Sequence, residues 1–517
     1  MARRLLQCVV GALTFCAAMG PVGVSTASTA AHAGAGSATV SGPVTGGGGI
    51  PLVFSSQPAD ALNGTPVFDL ASVGYKQEEF FVEGTANAYT PTSTLTTDGH
   101  WTVQPSSQAA YKTRVVVNRP VDARDFNGTV IVEWLNVSGG ADASPDWGHT
   151  HVELIRRGYA WVGVSAQAVG VNQLKCPDPP LPTCPGSVAG PRPGDAARYG
   201  SLNHPGDSYS YDMFSQAGQA IRDNTRLVLG GLRPQHLIAV GESQSAGRLV
   251  TYINAVHPLV DVYDGFLVHS RGAGSAPLTQ APLPNVPTPV PSLIRDDLVP
   301  VLFFQTETDV AGAIGAAGLA ARQRDSARFR LWEVAGTAHF DLYGLQTGQT
   351  DTGRRQSVAA WFDSMQNPTA QIGLFTCASP INTGPQTFVL RSAIFHLDRW
   401  VDGGPPPPRA PRLEVASVAP FAFALDANGN VRGGIRTPAV DAPVATLGGL
   451  GQSGTPFCSA FGTTTPFTQQ QLDTLYRNHG RFVAAWSTAS LRALLAGFLR
   501  PEDAVNMLVV GAQADLP

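Results

Sequence analysis

Short runs of consecutive apolar residues alternate with segments of helical apolar spacing between residues 129 and 365. The apolar runs predict strands, and the spaced segments predict helices. Strands that are apolar throughout and separated by helices are typical of a parallel sheet covered on both faces. The pattern therefore predicts an α/β fold. The predicted strands are 129–134, 159–164, 237–240, 265–268, 299–304 and 329–334, and the predicted helices are 151–157, 211–229, 248–254, 313–324 and 353–365.

The alternation is interrupted by two Pro/Gly-rich insertions, at 166–208 and about 271–298. Two further β-type runs precede it, around 78–82 and 113–117. Before them, residues 34–50 are rich in Gly, Ser and Ala, which predicts a flexible lead-in.

The alternation ends near residue 370, and the remainder includes a helical region at 469–499. We therefore predict an α/β core over 51–370. Residues 371–517 are predicted to form a C-terminal extension or cap packed on that core.

The N-terminus has the features of an export signal. Arg3 and Arg4 precede an apolar stretch over 5–18, and the small residues of Ala31-His32-Ala33 form a cleavage site. The apolar stretch is too short and interrupted for a membrane span. We predict a signal peptide over 1–33, cleaved after Ala33, and a secreted mature protein.

Cysteine usage agrees with export. Removal of the signal leaves Cys176, Cys184, Cys377 and Cys458, and an even number of cysteines in a secreted chain indicates disulfides. Three pairings are open, and Cys176–Cys184 with Cys377–Cys458 is favoured because the first pair would close one Pro-rich loop. Metal binding is disfavoured because no histidine lies at ligand spacing from these cysteines.

The composition argues against some partners. Charged residues make up only 14% of the 517 residues, and the formal net charge is −4. This balance gives no electrostatic reason to expect binding to nucleic acid or to an anionic membrane.

A serine follows the predicted strand at 237–240 in a strand–turn–helix context. The segment Gly241-Glu242-Ser243-Gln244-Ser245 has the small flanking residues of a nucleophile elbow, although its fifth position is serine instead of glycine. That difference leaves Ser243 or Ser245 as the nucleophile, and the distance from the strand favours Ser243. Glu242 is predicted to steer the elbow or to contact solvent.

A serine nucleophile needs a base and an orienting acid, which follow it in the order Ser, Asp/Glu, His in α/β hydrolases. Asp309 and Glu307 both lie in the loop after the strand at 299–304. We favour Asp309, because this acid usually lies several residues beyond its strand, and keep Glu307 as the alternative. His339 lies just after the last predicted strand and is the predicted base.

Two backbone amides are needed to stabilise the oxyanion of the reaction. One is expected from Gln244, directly after the nucleophile. The other is expected from the turn over 136–139, where Val137 is favoured. His149 and His151 lie close together after this turn, but they lack a third metal ligand, so no metal and no cofactor is predicted.

Several stretches resemble the bacterial, mostly secreted alpha/beta hydrolase domain family. They are Val132-Glu133-Trp134-Leu135-Asn136-Val137-Ser138-Gly139-Gly140, His204-Pro205-Gly206-Asp207-Ser208-Tyr209-Ser210-Tyr211-Asp212, Gly241-Glu242-Ser243-Gln244-Ser245-Ala246-Gly247-Arg248-Leu249 and Glu333-Val334-Ala335-Gly336-Thr337-Ala338-His339. The resemblance covers most of the mature chain and includes Ser245, which supports Ser243 as the nucleophile. It implies a serine hydrolase of α/β-hydrolase fold.

These observations together predict a secreted serine esterase that forms an acyl-enzyme intermediate. Its expected substrate is a small-molecule or polymeric ester. Two alternatives remain open: an amidase or peptidase that uses the same residues, and a non-catalytic binding protein of the same fold. The pattern does not specify the acyl group, the alcohol or the oligomeric state.

Overall fold

The computed structural model describes residues 36–46, 49–54, 68–187, 190–373 and 375–516. The predicted signal peptide lies outside the described residues. None of the helices in these ranges has the length and apolar character that crossing a membrane requires.

A nine-stranded sheet forms the centre of the molecule. Its strands are β1 (Thr39–Ser41), β2 (Tyr75–Pro91), β3 (Val103–Pro120), β4 (Thr129–Trp134), β5 (Ala160–Val164), β6 (His236–Glu242), β7 (Gly265–His269), β8 (Val301–Gln305) and β9 (Phe329–Glu333). Their order in the sheet is β1-β2-β3-β5-β4-β6-β7-β8-β9. The first three strands in this order run antiparallel to their neighbours, and the remaining six are parallel to one another.

Alternate residues of the parallel strands pack on opposite faces of the sheet, as strand geometry requires. In β6, Leu237 and Ala239 belong to one apolar cluster and Ile238 and Val240 to another. Both faces are therefore buried, which explains why these strands are apolar throughout.

Helices cover the two faces and form a separate bundle near the C-terminus. The helices are α1 (Pro145–Arg157), α2 (Ala168–Leu174), α3 (Ala196–Tyr199), α4 (Ser210–Asp223), α5 (Thr225–Val228), α6 (Gln244–Thr251), α7 (His257–Val260), α8 (Glu307–Ala311), α9 (Leu342–Leu345), α10 (Arg355–Gln366), α11 (Gln386–Val401), α12 (Pro438–Asp441), α13 (Gln469–Tyr476), α14 (His479–Leu495) and α15 (Pro501–Gln513). A π-helical segment, Tyr252–Val256, joins α6 to α7.

Shorter elements complete the described chain. There are 3₁₀ turns at Leu70–Val73, Ala123–Asp125, Gly318–Ala321, Thr347–Thr350 and Cys458–Ala460. Four two-stranded pairs lie outside the main sheet: Gly186–Ser187 with Gly190–Pro191, Gln371–Ile372 with Phe375–Thr376, Val415–Val418 with Phe421–Phe423, and Ala445–Gly448 with Thr463–Pro466.

Two local predictions are wrong. Part of the predicted flexible lead-in, Thr39–Ser41, is strand β1, because it hydrogen-bonds to the otherwise open edge of β2. The predicted α-helix at 313–324 does not form. The short α8 ends before it, because Gly312 adopts φ 79°, and the predicted range contains only the 3₁₀ turn at Gly318–Ala321. A left-handed residue at this position is a common way to stop a helix.

The segment after residue 370 packs closely on the rest of the molecule. Helix α11 lies against α1 and against strands β7 and β8. Its residues Leu390 and Ile394 share an apolar cluster with Leu267 and Leu302 of the sheet. This helix therefore forms part of one covering layer of the sheet. The division at residue 370 stays a prediction.

The structure contains two disulfides, Cys176–Cys184 and Cys377–Cys458. The first closes a short loop within the first Pro-rich insertion. The second joins residues 81 positions apart and links the hairpin at 371–376 to the 3₁₀ turn at Cys458–Ala460. Both pairs match the pairing that the sequence favours, and disulfides are typical of proteins from oxidising compartments.

Candidate active site

Ser243 occupies a tight turn between β6 and α6. Its backbone has φ 60° and ψ −117°, a conformation that non-glycine residues rarely adopt. The turn is held on both sides, because the Ser243 amide donates to the His269 carbonyl at 2.9 Å and its carbonyl accepts from the Gly247 amide at 3.1 Å. Gly241, two residues before Ser243, is closely surrounded, since an added Cβ would lie 3.0 Å from the Leu249 side chain and 3.2 Å from the Ser245 backbone. The local fold therefore has the strained geometry of a nucleophile elbow.

A continuous chain of hydrogen bonds joins Ser243, His339 and Asp309. The Ser243 Oγ lies 2.7 Å from His339 Nε2, and His339 Nδ1 lies 2.6 Å from Asp309 Oδ1. With Nδ1 donating to the carboxylate, Nε2 is free to accept the hydroxyl proton. All three residues lie in segments that follow the carboxyl ends of parallel strands, where ligand sites of such sheets lie.

The carboxylates near His339 favour the protonated form of its imidazole. Burial alone would lower the pKa of His339, but the negative charges of Asp309 and Glu242 raise it above its ordinary value. Burial would likewise raise the pKa of Asp309, but the attraction and hydrogen bond of His339 lower it. Thr306 adds two further donors to Asp309 Oδ2, from its amide at 2.9 Å and its hydroxyl at 2.6 Å.

Glu307, the alternative acid, points away from His339. Its Oε1 accepts from the Gly336 amide at 2.6 Å and its Oε2 from the Gly449 amide at 2.8 Å. Burial raises its pKa to about 7. Glu307 therefore joins the loop that carries His339 to a loop of the C-terminal segment, and the structure brings Asp309, not Glu307, to the histidine.

Ser245, the alternative nucleophile, lies inside helix α6 and is fully buried. Its Oγ has no hydrogen-bond partner among the described residues. The structure therefore brings Ser243, and not Ser245, to the imidazole of His339.

The turn after β4 faces the elbow. Two of its amides are used within the turn, since Asn136 donates to the Ala143 carbonyl and Ser138 donates to Asn136 Oδ1. The amides of Val137 and Gly139 make no hydrogen bond within the described chain. Asn136, Ser138 and Gly139 line the cavity beside Ser243, together with Gln244 at the start of α6.

Glu242 is a site residue whose position sequence reasoning did not identify. Its carboxylate is buried, with Oε1 at 3.1 Å from His339 Nε2. Its Oε2 accepts from Asn136 Nδ2 at 3.1 Å, and the same Nδ2 donates to the Glu242 carbonyl. Burial raises the pKa of Glu242 to about 7. The only sequence signal was its place beside Ser243.

A second histidine–carboxylate pair lies behind His339. His269, at the end of β7, hydrogen-bonds through Nδ1 to Asp146 Oδ1 at 2.8 Å. Gln386 of α11 lies 2.9 Å from His269 Nε2 and donates a longer hydrogen bond of 3.5 Å to the His339 carbonyl. The C-terminal segment thus contacts the backbone of His339, the predicted base.

Arg248 fixes helix α6 to the first Pro-rich insertion. Its Nη2 lies 3.0 Å from Asp207 Oδ2 and 3.0 Å from Gln280 Oε1, and all three groups are largely shielded from solvent. Asp207 Oδ1 also accepts from the Ala168 amide. This buried ion pair connects two of the sequence stretches on which the family resemblance rests.

A cavity of about 610 Å³ opens above Ser243 and His339. Most of its surface is apolar, and its polar lining includes Ser270 and Arg271 after β7. The Arg271 guanidinium donates to the carbonyls of Gly272, Ala273, Gly274 and Ser292, and burial lowers its pKa to about 9.

Within the described ranges, no group of three or more His, Cys, Asp or Glu side chains could hold a metal ion. The arrangement can therefore support nucleophilic attack on a substrate bound in a mainly apolar cleft.

Comparison with known proteins agrees with the fold. The model of a family described as alpha/beta hydrolase domain matches residues 40–509. No curated protein matches the chain.

Three solved structures that resemble the chain are esterases. One comes from Rhizomucor miehei, with 12% identity, 46% of this chain and 73% of that chain covered, and a TM-score of 0.22. A thermostable esterase from Pseudomonas putida has 14% identity, 46% and 66% coverage, and a TM-score of 0.25. The rice cell wall degrading esterase LipA from Xanthomonas oryzae has 10% identity, 51% and 86% coverage, and a TM-score of 0.28. Scores this low carry no weight for the function.

Proposed function

The chain belongs to the alpha/beta hydrolase domain family, and on that premise we propose that it is a serine hydrolase that cleaves carboxylic esters. The observation that carries the proposal is the hydrogen-bond chain from Ser243 through His339 to Asp309 at the base of the cavity. A serine hydroxyl is a weak nucleophile, and a base with an orienting carboxylate is the arrangement that activates it.

In the first half of the reaction, His339 Nε2 takes the proton of the Ser243 hydroxyl while Oγ attacks the ester carbonyl. The tetrahedral intermediate carries a negative oxygen and His339 carries the proton. Asp309 stabilises the imidazolium through Nδ1. His339 then gives its proton to the leaving alkoxide, and the acyl group remains on Ser243.

In the second half, water replaces the alcohol. His339 takes a proton from the water, hydroxide oxygen attacks the acyl carbonyl, and collapse of the intermediate returns the proton to Ser243 Oγ and releases the carboxylic acid. We assign the oxyanion site to the Gln244 amide and to an amide of the facing turn, with Val137 as the predicted donor. Gly139, which lines the cavity and has an equally free amide, is the alternative donor from the same turn.

Glu242 has a positioning role in this scheme. Its Oε1 lies next to the nitrogen that gains the proton, so an ionised Glu242 lowers the energy of the imidazolium. Asn136 holds the carboxylate and at the same time orders the turn through its bond with the Ser138 amide. The elbow and the oxyanion turn are therefore linked through two side chains.

A fluorophosphonate probe tests the serine mechanism, because it labels only an activated serine. We expect labelling and ester hydrolysis by the wild type, neither by Ser243→Ala, and both by the matched control Ser245→Ala. Labelling of Ser243→Ala together with no labelling of Ser245→Ala would overturn the assignment. Paired hydrolysis of an ester and the anilide of the same acid separates an esterase from an amidase.

The same proposal places the enzyme outside the cell. The two disulfides are compatible with an oxidising compartment. Expression with its own N-terminus, followed by N-terminal sequencing of the protein in the medium, tests this. The expected first residue is Gly34, whereas retention of the full chain inside the cell would contradict it.

A further inference from the structure

Five phenylalanines form one wall of the cavity above Ser243. We call Phe54, Phe340, Phe375, Phe457 and Phe461 the phenylalanine wall, and all five line the cavity. Phe340 directly follows the proposed base His339, so the wall begins beside the reacting atoms.

The rings of this wall contact one another in two groups, a pair (Phe54 and Phe340) and a trio (Phe375, Phe457 and Phe461). The ring centroids of Phe54 and Phe340 are 4.8 Å apart, and those of Phe375 and Phe461 are 5.2 Å apart. Phe457 meets Phe375 edge to face at 6.2 Å. Aromatic rings prefer edge-to-face or offset-stacked packing, so a ring that is exposed to the cavity can take up a further ring in either arrangement.

Two members of the wall are held in an unfavourable backbone conformation. Among the described residues, six non-glycine positions have positive φ, and four of them line this cavity: Phe54 (65°), Ser243 (60°), Ser270 (52°) and Phe457 (76°). A bulky residue in this region is a true outlier, and such strain concentrates at functional sites. Two phenylalanines therefore have a positive φ, as the proposed nucleophile does.

Phe457 is also unusually exposed. About 39% of its surface is accessible, whereas Phe461 and Phe375 are buried. Burial in a core therefore does not account for a strained phenylalanine at this position. Its ring stands at the cavity rim, where a substrate group could cover it.

The disulfide Cys377–Cys458 joins two chain segments that carry residues of the phenylalanine wall. Cys458 directly follows Phe457, and Cys377 lies two residues after Phe375. Backbone bonds reinforce the link, because the Ala378 amide donates to the Ser453 carbonyl. Two distant segments are thus fixed together at the point where they present their rings.

We infer that the phenylalanine wall binds an aromatic ring carried by the ester substrate, so that the natural substrates are aryl or arylalkyl esters. This inference rests on the proposed esterase function. A rigid wall of rings favours a planar aromatic group over a saturated group of similar size, because only the aromatic group makes edge-to-face contacts.

Matched esters test the inference without an aromatic reporter group. In the acyl series, ethyl phenylacetate is compared with ethyl cyclohexylacetate and ethyl acetate. In the alcohol series, benzyl acetate is compared with cyclohexylmethyl acetate and ethyl acetate. Acid release in a pH-stat gives kcat/KM for each. We expect the aromatic ester to exceed its saturated partner by about 2- to 10-fold in one series, which identifies the side of the ester that contacts the wall.

The variant Phe457→Leu removes the ring but keeps an apolar side chain. We expect it to abolish most of the aromatic preference, measured as the ratio of kcat/KM for the aromatic ester to kcat/KM for its saturated partner. Phe421→Ala, which alters a phenylalanine of a remote hairpin, should leave the preference intact. Equal rates for aromatic and saturated esters in both series, or an unchanged preference in Phe457→Leu, would overturn the inference.

Binding to Ser243→Ala separates this inference from the proposed function. Calorimetry with benzyl acetate and cyclohexylmethyl acetate, and with the two ethyl esters of the acyl series, measures recognition without turnover. Tighter binding of an aromatic member that Phe457→Leu removes supports the wall even if the wild type hydrolyses no ester. Equal binding of the aromatic and saturated members in both pairs contradicts it even if the wild type is an active esterase.

Discussion

Glu242 and His339 are in direct contact: Oε1 of the carboxylate lies 3.1 Å from Nε2 of the imidazole, the nitrogen that also meets the Ser243 hydroxyl. His339 therefore has a carboxylate at each nitrogen, Asp309 at Nδ1 and Glu242 at Nε2. This second carboxylate is part of strand β6, so the residue before Ser243 contacts the same imidazole nitrogen as the Ser243 hydroxyl does.

The variant Glu242→Gln should lower kcat/KM for an ester by about 10- to 100-fold, the loss expected for one hydrogen bond to a charged group. A carboxylate beside His339 raises the histidine pKa. Its loss should lower that pKa, so the acidic limb of the kcat/KM–pH profile should move to lower pH. A purely structural role would reduce activity without moving the limb. The amide oxygen of Gln can still accept from Asn136, so we expect little change in Tm.

The variant Asp309→Asn should reduce kcat by about 10³- to 10⁴-fold, as expected when a triad carboxylate is replaced and the histidine tautomer is no longer fixed. Glu307→Gln is the matched control, because Glu307 is equally buried but bonds Gly336 and Gly449 instead of the base. It should lower Tm, since Gln can accept from only one of these amides through its side-chain oxygen, and should retain far more activity than Asp309→Asn. The reverse order of kcat values would assign the acid to Glu307. Thermal melting followed by circular dichroism gives Tm for each variant, and steady-state kinetics give kcat.

Asp341 makes the stability of the protein depend on pH. Burial raises its pKa from 3.8 to about 7, and its Oδ1 accepts from the Gly344 amide at 3.0 Å. Between these values the unfolded chain releases a proton that the folded chain keeps, so the free energy of unfolding falls as pH rises from about 4 to about 7.

The variant Asp341→Asn keeps the hydrogen bond to Gly344 and removes the titration. Urea unfolding at several pH values should therefore show a shallower fall in stability for Asp341→Asn than for the wild type, with the largest relative gain above pH 7. Parallel curves would show that Asp341 ionises equally in both states.

Removal of the two disulfides should have different effects on stability and on the preference for aromatic esters. The Cys377–Cys458 bond closes a loop of 81 residues and the Cys176–Cys184 bond a loop of 8. Loop-closure entropy predicts a loss of about 4–5 kcal/mol for the Cys377→Ser/Cys458→Ser variant and about 2–3 kcal/mol for Cys176→Ser/Cys184→Ser. The first variant should also lose its preference for aromatic esters, and the second should keep it. Loss of the preference in both variants would show that the effect is not specific to the disulfide next to the phenylalanine wall.

Much of the fold could be predicted because local pattern and tertiary environment agree. The parallel strands are buried on both faces, so their sequences are apolar throughout. This continuous apolar character allows them to be predicted as strands from the sequence. Ser243, Asp309 and His339 each follow such a strand, and the strands are ordered in the sheet as they are in the chain from β6 to β9. The order of the three residues along the chain was therefore enough to predict that they meet.

The prediction of a helix at 313–324 is wrong for a local reason. Its alanines and leucine have helical spacing, but Gly312 and Gly315 interrupt the segment, and Gly312 adopts the left-handed conformation that ends α8. The helix starts instead at Glu307, because Thr306 and Asp309 bond each other's backbone as a capping box. Asp309 thus caps a helix and orients a histidine.

The role of Glu242 could not be predicted because its partners are distant in sequence. An acidic residue at the end of a strand gives no sign of whether it is buried. Asn136 and His339, which meet it, come from two other loops. Only the assembled sheet decides that this carboxylate faces the base instead of solvent.

The packing of the last third of the chain has a consequence for the order of synthesis. A ribosome that has completed residue 370 has already made Ser243, Asp309 and His339. It has not yet made Gln386, which contacts the carbonyl of His339, or Gly449, which bonds Glu307 on the neighbouring loop. The contacts to Gln386 and Gly449 can therefore form only after all three of these residues have been synthesised. The candidate site gains its full set of neighbours only when the C-terminal segment has folded onto the rest of the chain.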